Sequence, residues 1–255
     1  MNIQIGYFTD KGIRKAIDED SFVIRTASTA VGPMVMAAVC DGMGGLNRGE
    51  LASSELVQCL SEWFDETLPV LLSDGLDIDT LRAGIEYELR RQNDRFEAYA
   101  SRRGFRMGTT AAILLLYCGW AITINVGDSR IYAATNRLVQ LTKDQSFVQS
   151  EVDAGRLTPE AAAVDPRRNL LLQCIGQSAL VTPDILCYPW ESGTTYLLCS
   201  DGFHHELRPD EICGCIAAAA GQGNEAMSAQ LARLGQMVMA RGEIDNITAL
   251  TVNIG

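Results

Sequence analysis

Histidine is nearly absent from this chain: His204 and His205 are the only two in 255 residues. Neighbours on a chain seldom converge on one ion, so packing or surface roles are expected of the pair, with His205 equally suited to a place near a functional site. Basic residues are in the minority, 21 Lys and Arg against 32 Asp and Glu for a net charge of −11. They form no stripe, and because nucleic-acid binding draws on clustered cations, a nucleic-acid partner is not expected. Long apolar runs are missing too. The most apolar stretch, Ala111–Ile124, is of core length rather than the ~20 residues a membrane span needs, and Cys118-Gly119 divides it like a hairpin turn. No linker rich in proline, glycine or serine interrupts the chain, and Met1 to Gly12 lacks the basic-then-apolar pattern of a secretory signal. A single domain over residues 1–255 in the cytoplasm, with no membrane association, is the expectation. Eight cysteines show no metal-ligand spacing; in apolar runs (Cys40, Cys118, Cys199) or helical segments (Cys59, Cys213, Cys215) they read as buried reduced thiols.

What is present is a layered pattern. Strand-length segments bounded by turn signals occur at Ile3–Phe8, Ser21–Arg25, Met34–Cys40, Thr110–Tyr117, Ala121–Val126, Arg130–Ala134, Thr195–Cys199 and Ile247–Ile254. Several are apolar at consecutive positions, as expected of a sheet with another sheet on one face and helices on the other. Helical periodicity appears in Leu51–Leu68, Thr80–Arg102, Ser146–Ala154, Pro159–Ala163, Pro209–Ala219 and Asn224–Ala240. Strands and helices do not alternate, which argues against a parallel doubly wound sheet and for an antiparallel sandwich flanked by helices. The stretch around residues 143–169 reads as a helical excursion that could act as a lid.

The chemical signal lies in the aspartates. Asp41, Asp128 and Asp201 each follow an apolar strand, Asp245 opens one, and Asp18-Glu19-Asp20 precedes another. One Asp-Gly is a common turn dipeptide and carries little meaning. Five such positions, with apolar strands leading into them, could meet at one rim. Two carboxylates ~4 Å apart repel by about 4 kcal/mol at an effective dielectric of 20, so such a cluster needs cations. Oxygen ligands without histidine or cysteine suit magnesium or manganese better than zinc. Two such ions can ready a water for attack on phosphorus, and their field would draw an anionic substrate into an acidic protein.

These residues stand in ordered motifs: DGMGG at Asp41–Gly45, MGTT at Met107–Thr110, VGDSR at Val126–Arg130, LTKDQS at Leu141–Ser146, DPRRN at Asp165–Asn169, CSDG at Cys199–Gly202 and DNIT at Asp245–Thr248. The set resembles the metal-dependent PPM or PP2C family of serine/threonine phosphatases in its bacterial form. That resemblance implies an α-β-β-α sandwich and two Mn²⁺ or Mg²⁺ ions at one end of it. It makes Asp41 a bridging ligand, Gly42 a carbonyl ligand, and Asp201 and Asp245 ligands of the second ion. Glu19 and Asp20 would hold a metal or its waters, Asp128 would serve a weaker third ion, and water rather than a side chain would be the nucleophile. The substrates implied are phosphoserine and phosphothreonine proteins, including a serine/threonine kinase and its targets, and the expected state is a monomer.

The chain departs from the family pattern in three places. Lys15, or Arg14 one position further from the acids, stands where an arginine usually binds phosphate. His205 replaces an aspartate that helps hold the third metal, and Asp165 replaces a frequent histidine in the lid. These departures motivate two alternatives, a pseudophosphatase that binds phosphoproteins without turnover and a phosphatase of small phosphorylated metabolites.

Overall fold

The computed structural model describes residues 3–44 and 48–255; Gly45, last of the DGMGG motif, lies outside them. The described elements run β1 (Ile3–Asp10), β2 (Asp20–Thr29), β3 (Gly32–Met43), α1 (Gly49–Glu62), a π-helical turn (Trp63–Thr67), α2 (Leu68–Leu71), α3 (Ile78–Arg103), β4 (Gly108–Thr109), β5 (Ala111–Tyr117) and β6 (Trp120–Val126). They continue with β7 (Arg130–Ala134), β8 (Leu138–Gln140), α4 (Phe147–Asp153), α5 (Pro159–Ala163), β9 (Asp184–Pro189), β10 (Thr195–Cys199), α6 (Asp201–His204), α7 (Pro209–Ala219), α8 (Asn224–Ala240) and β11 (Ile247–Ile254).

Two antiparallel sheets form. One has the order β1-β11-β10-β7-β8, the other β2-β3-β5-β6-β9 with β4 added beside the end of β3. The consecutive apolar runs are explained by what each face meets. Along β5, Ala111, Ile113, Leu115 and Tyr117 join a core shared with α1, α2 and α3, whereas Ala112, Leu114 and Leu116 enter the core between the sheets. β3 divides its residues the same way, and Leu197 and Cys199 of β10 face a third core against α7 and α8. Four layers, α-β-β-α, follow from strands whose both faces are covered.

Local chemistry sets the ends of these elements. Asp77 caps α3 by accepting from the N–H groups of Asp79 and Thr80, and Gly104 ends that helix in the left-handed region at φ 70°. The Thr158 hydroxyl caps α5 by accepting from the Ala161 N–H at 3.2 Å. The Cys118-Gly119 hairpin expected between β5 and β6 is present, with both residues at positive φ. β1 is an edge strand, and α8 covers it: Asn224 Oδ1 accepts from Ile5 N–H at 2.9 Å and Ser228 Oγ from Tyr7 N–H at 3.2 Å. Side chains thereby satisfy donors that would otherwise invite another strand.

The single helix expected over Leu51–Leu68 is instead α1, a π-turn and α2. Pro69 lacks an N–H to give to the Asp65 carbonyl and would crowd it, and one wider turn before it relieves the clash. β4, β8, β9 and α6 escape the sequence reading because two to six residues, partly polar, carry too little periodicity. The thiols are all free, but Cys118 is exposed and Cys187, Cys213 and Cys215 are only half-buried, so burial is not general as expected. A tight turn leaves the Cys118 side chain no interior to enter.

The inter-sheet core predicts a simple stability result. Leu114 is fully buried there, and Leu114→Ala is expected to destabilise the protein by about 2–5 kcal/mol, the usual range for a core leucine, measured as a fall in the urea midpoint at unchanged m-value.

Candidate metal centre

All the acidic positions come together at one end of the sandwich. Asp20 opens β2 and Asp41 lies near the end of β3, directly opposite each other in the antiparallel register. Asp128 sits in the turn between β6 and β7, Asp201 begins α6 after β10, and Asp245 precedes β11. Because Cys199 pairs with Arg130 on one side and Ala249 on the other, those three acids belong to one end of their sheet. Asp41, from the other sheet, feels the charges of Asp20, Asp201, Asp128 and Asp245. The rim is therefore shared by both sheets.

Asp41 is held by backbone on both sides. Its N–H donates to Thr110 Oγ1 at 2.9 Å, and its carbonyl accepts from Thr110 N–H at 2.9 Å and Thr109 Oγ1 at 3.0 Å. Thr110 is in turn tied to Ser129 at 2.7 Å. The MGTT motif thus positions the acid, a role that its sequence alone does not reveal. Gly42 and Gly49 are needed for close approach: a Cβ on Gly42 would lie 2.3 Å from the Gly49 carbonyl oxygen and 2.4 Å from that of Glu19. The N-terminus of α1 can therefore press against β3, which brings the Gly49 N–H to Glu19 Oε1 at 3.2 Å.

Burial and crowding push these acids toward their neutral forms. Asp20 is raised to about 8, first by burial and then by Asp18 and Asp201, with nearby Ser200 and Thr248 hydroxyls opposing. Burial, then the neighbouring aspartates, hold Asp41 well above the ordinary carboxylate range, and burial followed by Asp201 does the same to Asp128. Asp201 is also raised, by burial, against the favourable charge of His205. Both carboxyl oxygens of Asp20 and one of Asp201 are buried without a hydrogen-bond partner. Buried polar atoms almost always have partners. Hard divalent cations fit these oxygens, since they would satisfy the orphaned acceptors and the mutual repulsion together. Among the described residues no group of three or more acidic, imidazole or thiol side chains is already drawn together around a single metal position.

Of the two candidate cations, the structure brings Lys15 to the rim. Its Nζ lies 2.8 Å from Asp245 Oδ1 and 3.6 Å from Glu19 Oε2, and despite partial burial these partners raise its pKa. Arg14 is exposed and lies outside the ion pairs of the described residues. The fold also assigns residues that sequence reasoning left without a role. Asn246 accepts from Glu19 N–H at 3.0 Å and donates to the carbonyls of Lys11 and Ile17 at 3.1 and 3.0 Å, lashing the β1–β2 loop to the Asp245 turn. Glu243 faces His205 Nδ1 at 3.7 Å, while His205 Nε2 stands 4.0 Å from Asp201 Oδ2. His205 is therefore at the site, and His204 is buried beside it.

The same fold is found in solved serine/threonine phosphatases. The S. agalactiae serine/threonine phosphatase superposes with a TM-score of 0.86 at 28% identity, covering 100% of both chains. The catalytic domain of the serine threonine protein phosphatase PstP in complex with two manganese ions gives 0.77 at 27% identity, over 99% of this chain and 98% of that one. Protein phosphatase PhpP of Streptococcus pneumoniae is 29% identical over 255 residues, 99% of this chain and 98% of its own. Serine/threonine phosphatase stp of Listeria monocytogenes is 34% identical over 208 residues, 80% of this chain and 79% of its own. The sequence pattern of protein phosphatase 2C matches residues 13–235, a span that runs from the loop carrying Lys15 to within α8, and on that match the chain belongs to the protein phosphatase 2C family.

Proposed function

We propose that this protein hydrolyses phosphoserine and phosphothreonine esters on other proteins, with divalent metal held at the acidic end of the sandwich. The observation that carries the reading is the set of orphaned oxygens on Asp20 and Asp201 flanking Asp41 from two sheets. In this reading Asp41, the Gly42 carbonyl, Asp20, Asp201 and Asp245 hold two Mn²⁺ or Mg²⁺ ions, with Glu19 supporting them and Asp128 serving a weaker third. The ions would supply Lewis acidity toward water and toward the phosphoryl oxygens.

The chain's own groups do the rest. Lys15 gives the phosphate a point charge, not the bidentate fork of an arginine. Asp245 and Glu19 keep that ammonium at the rim and protonated. The thiols nearest Asp41 and Asp201 in sequence do not compete as nucleophiles, because burial drives Cys40 and Cys199 further toward the neutral form. The hydroxyls of Thr110 and Ser129 are occupied with each other. His205, in place of a carboxylate, lowers the negative charge near Asp128 and so weakens the third ion's site. The helical excursion at 143–169 serves as a lid on a single domain. Cytoplasmic phosphoproteins, a serine/threonine kinase among them, are the proposed partners of a monomeric enzyme. Among the described residues no helix is long and apolar enough to cross a membrane.

Phosphate release from a phosphothreonine peptide is expected with Mn²⁺ or Mg²⁺ and absent with chelator. In the same assay Lys15→Ala should raise KM about tenfold or more while kcat changes less, the mark of a lost charged contact to bound phosphate. Metal-independent turnover, or none with metal bound, would remove the reading. Preference for a small phosphate ester over the peptide would reassign the substrate.

A further inference from the structure

Asp128 sits in a turn that is held by residues from another loop. The turn joins β6 to β7, and Gly127 enters it in the left-handed region at φ 103°, where glycine is favoured. Thr110, which also ties Asp41, packs against it: a Cβ on Gly127 would lie 2.6 Å from Thr110 Cγ2. Gln145 takes both backbone polar groups of Gly127. Its Oε1 accepts from the Gly127 N–H at 3.0 Å, and its own N–H donates to the Gly127 carbonyl at 2.9 Å. The preceding residue, Asp144, accepts from Arg130 Nε and Nη2 at 2.9 and 2.6 Å. Residues 144 and 145 therefore grip the chain on both sides of Asp128.

Gln145 also stands at the foot of the helical excursion. Its carbonyl accepts from the Leu172 N–H at 2.8 Å, where the chain returns beyond α5, and its Nε2 lies 3.5 Å from the carbonyl oxygens of Asn125 and Thr182. The side chain thus has an acceptor for the turn and a donor for the strands beside it. Gly127 is buried, and a buried donor left without its partner costs about 1–3 kcal/mol. Without Oε1 the turn can recover that cost only by shifting, and Asp128 shifts with it. We propose that Gln145 is a positioning residue for the third metal ion, fixing the turn that presents Asp128 to the acidic rim. The role rests on the phosphatase reading above, in which Asp128 serves that ion, and adds to it a residue on which the ion's affinity depends.

The test is Gln145→Met, which keeps the length of the side chain and loses its hydrogen bonds, with Gln145→Asn as a milder variant should the first fail to fold. Titration calorimetry of the wild type with Mn²⁺ should resolve a weaker phase after two tighter ions, and Asp128→Asn should remove that phase. Either Gln145 variant should weaken it about 10–100-fold, the usual effect of removing an outer support of a ligand, and leave the tighter ions unchanged. Turnover of a phosphothreonine peptide separates positioning from general damage. Gln145→Met should lower it no more than Asp128→Asn does, and not at all in the Asp128→Asn background. An unchanged weaker phase in a folded variant, weakened tighter ions, or a further loss of turnover in the double variant would overturn the role of Gln145 and leave the phosphatase reading standing. So would Mn²⁺-dependent turnover in a wild type that binds no third ion. Absence of Mn²⁺-dependent turnover on every substrate would overturn both.

Discussion

Asp41→Asn is expected to lower kcat/KM by about 10²–10³-fold while making the metal-free protein more resistant to heat. The first effect follows from position. Asp41, on β3, is the acid that meets aspartates carried by both sheets, and losing even an outer support of a metal ligand typically reduces activity or affinity 10–100-fold; losing a group that stabilises the transition state typically reduces it 10²–10³-fold. The second follows from charge. Asparagine keeps the shape and removes one member of a cluster in which Asp41 meets Asp20, Asp201, Asp128 and Asp245. Each kcal/mol of repulsion relieved should raise the melting temperature by about 2–4 °C in a chain of this size. Titration calorimetry should also show weakened Mn²⁺ binding. A folded Asp41→Asn variant with undiminished turnover would refute the assignment, and one that merely unfolds would contradict the electrostatics.

The metal-free protein should lose stability as pH rises from about 4 to about 8, and Mn²⁺ should reverse that trend. Burial first, then Asp18 and Asp201, hold the Asp20 proton up to a pKa of about 8 in the folded state, whereas an unfolded aspartic acid releases it near ~3.9. A group with a raised folded pKa contributes stability that is full below the unfolded value and is lost as pH climbs toward the folded one. Across that window the native state binds the extra proton, so stability falls by up to about 1.4 kcal/mol per pH unit for each such group. Glu243 has the opposite sign in a different window. Although burial opposes it, His205 and the N–H groups of Asp245 and Ile244 hold it down to about 2, so its contribution is lost only on acidification below its ordinary ~4.3. Bound metal takes the place of the protons and adds about 2.7 kcal/mol when free metal is a hundred times its Kd. Chemical denaturation at pH 5, 6.5 and 8, with Mn²⁺ and with chelator, measures this. Asp20→Asn should flatten the chelator series; an unchanged slope would place the titration elsewhere.

Part of this architecture is legible in the amino-acid sequence. β3 and β5 are readable because their residues are apolar at consecutive positions, a pattern only a doubly covered strand sustains, and the two cores they feed are present. The acids are readable as a set because each sits at a strand boundary. Their surroundings are not. Lys15 and Arg14 are neighbours in sequence, either able to serve, and only the path of the β1–β2 loop turns one toward Asp245 and leaves the other exposed. Asn246 gives no local sign of its role, since its contact with Glu19 joins residues 227 positions apart. Even the setting of an acid differs from its strand-end pattern: Asp201 starts a helical turn rather than a loop, because Ser200 adopts the extended backbone of an N-cap.

The order of residues by itself determined the element types, the covered faces of the strands and the supply of carboxylates, because backbone preference and periodic burial act over a few residues. Sheet order, strand register and loop path alone decided which of those carboxylates face one another and which cation joins them. Those outcomes depend on contacts between segments distant along the chain, and such contacts leave no local periodicity to read.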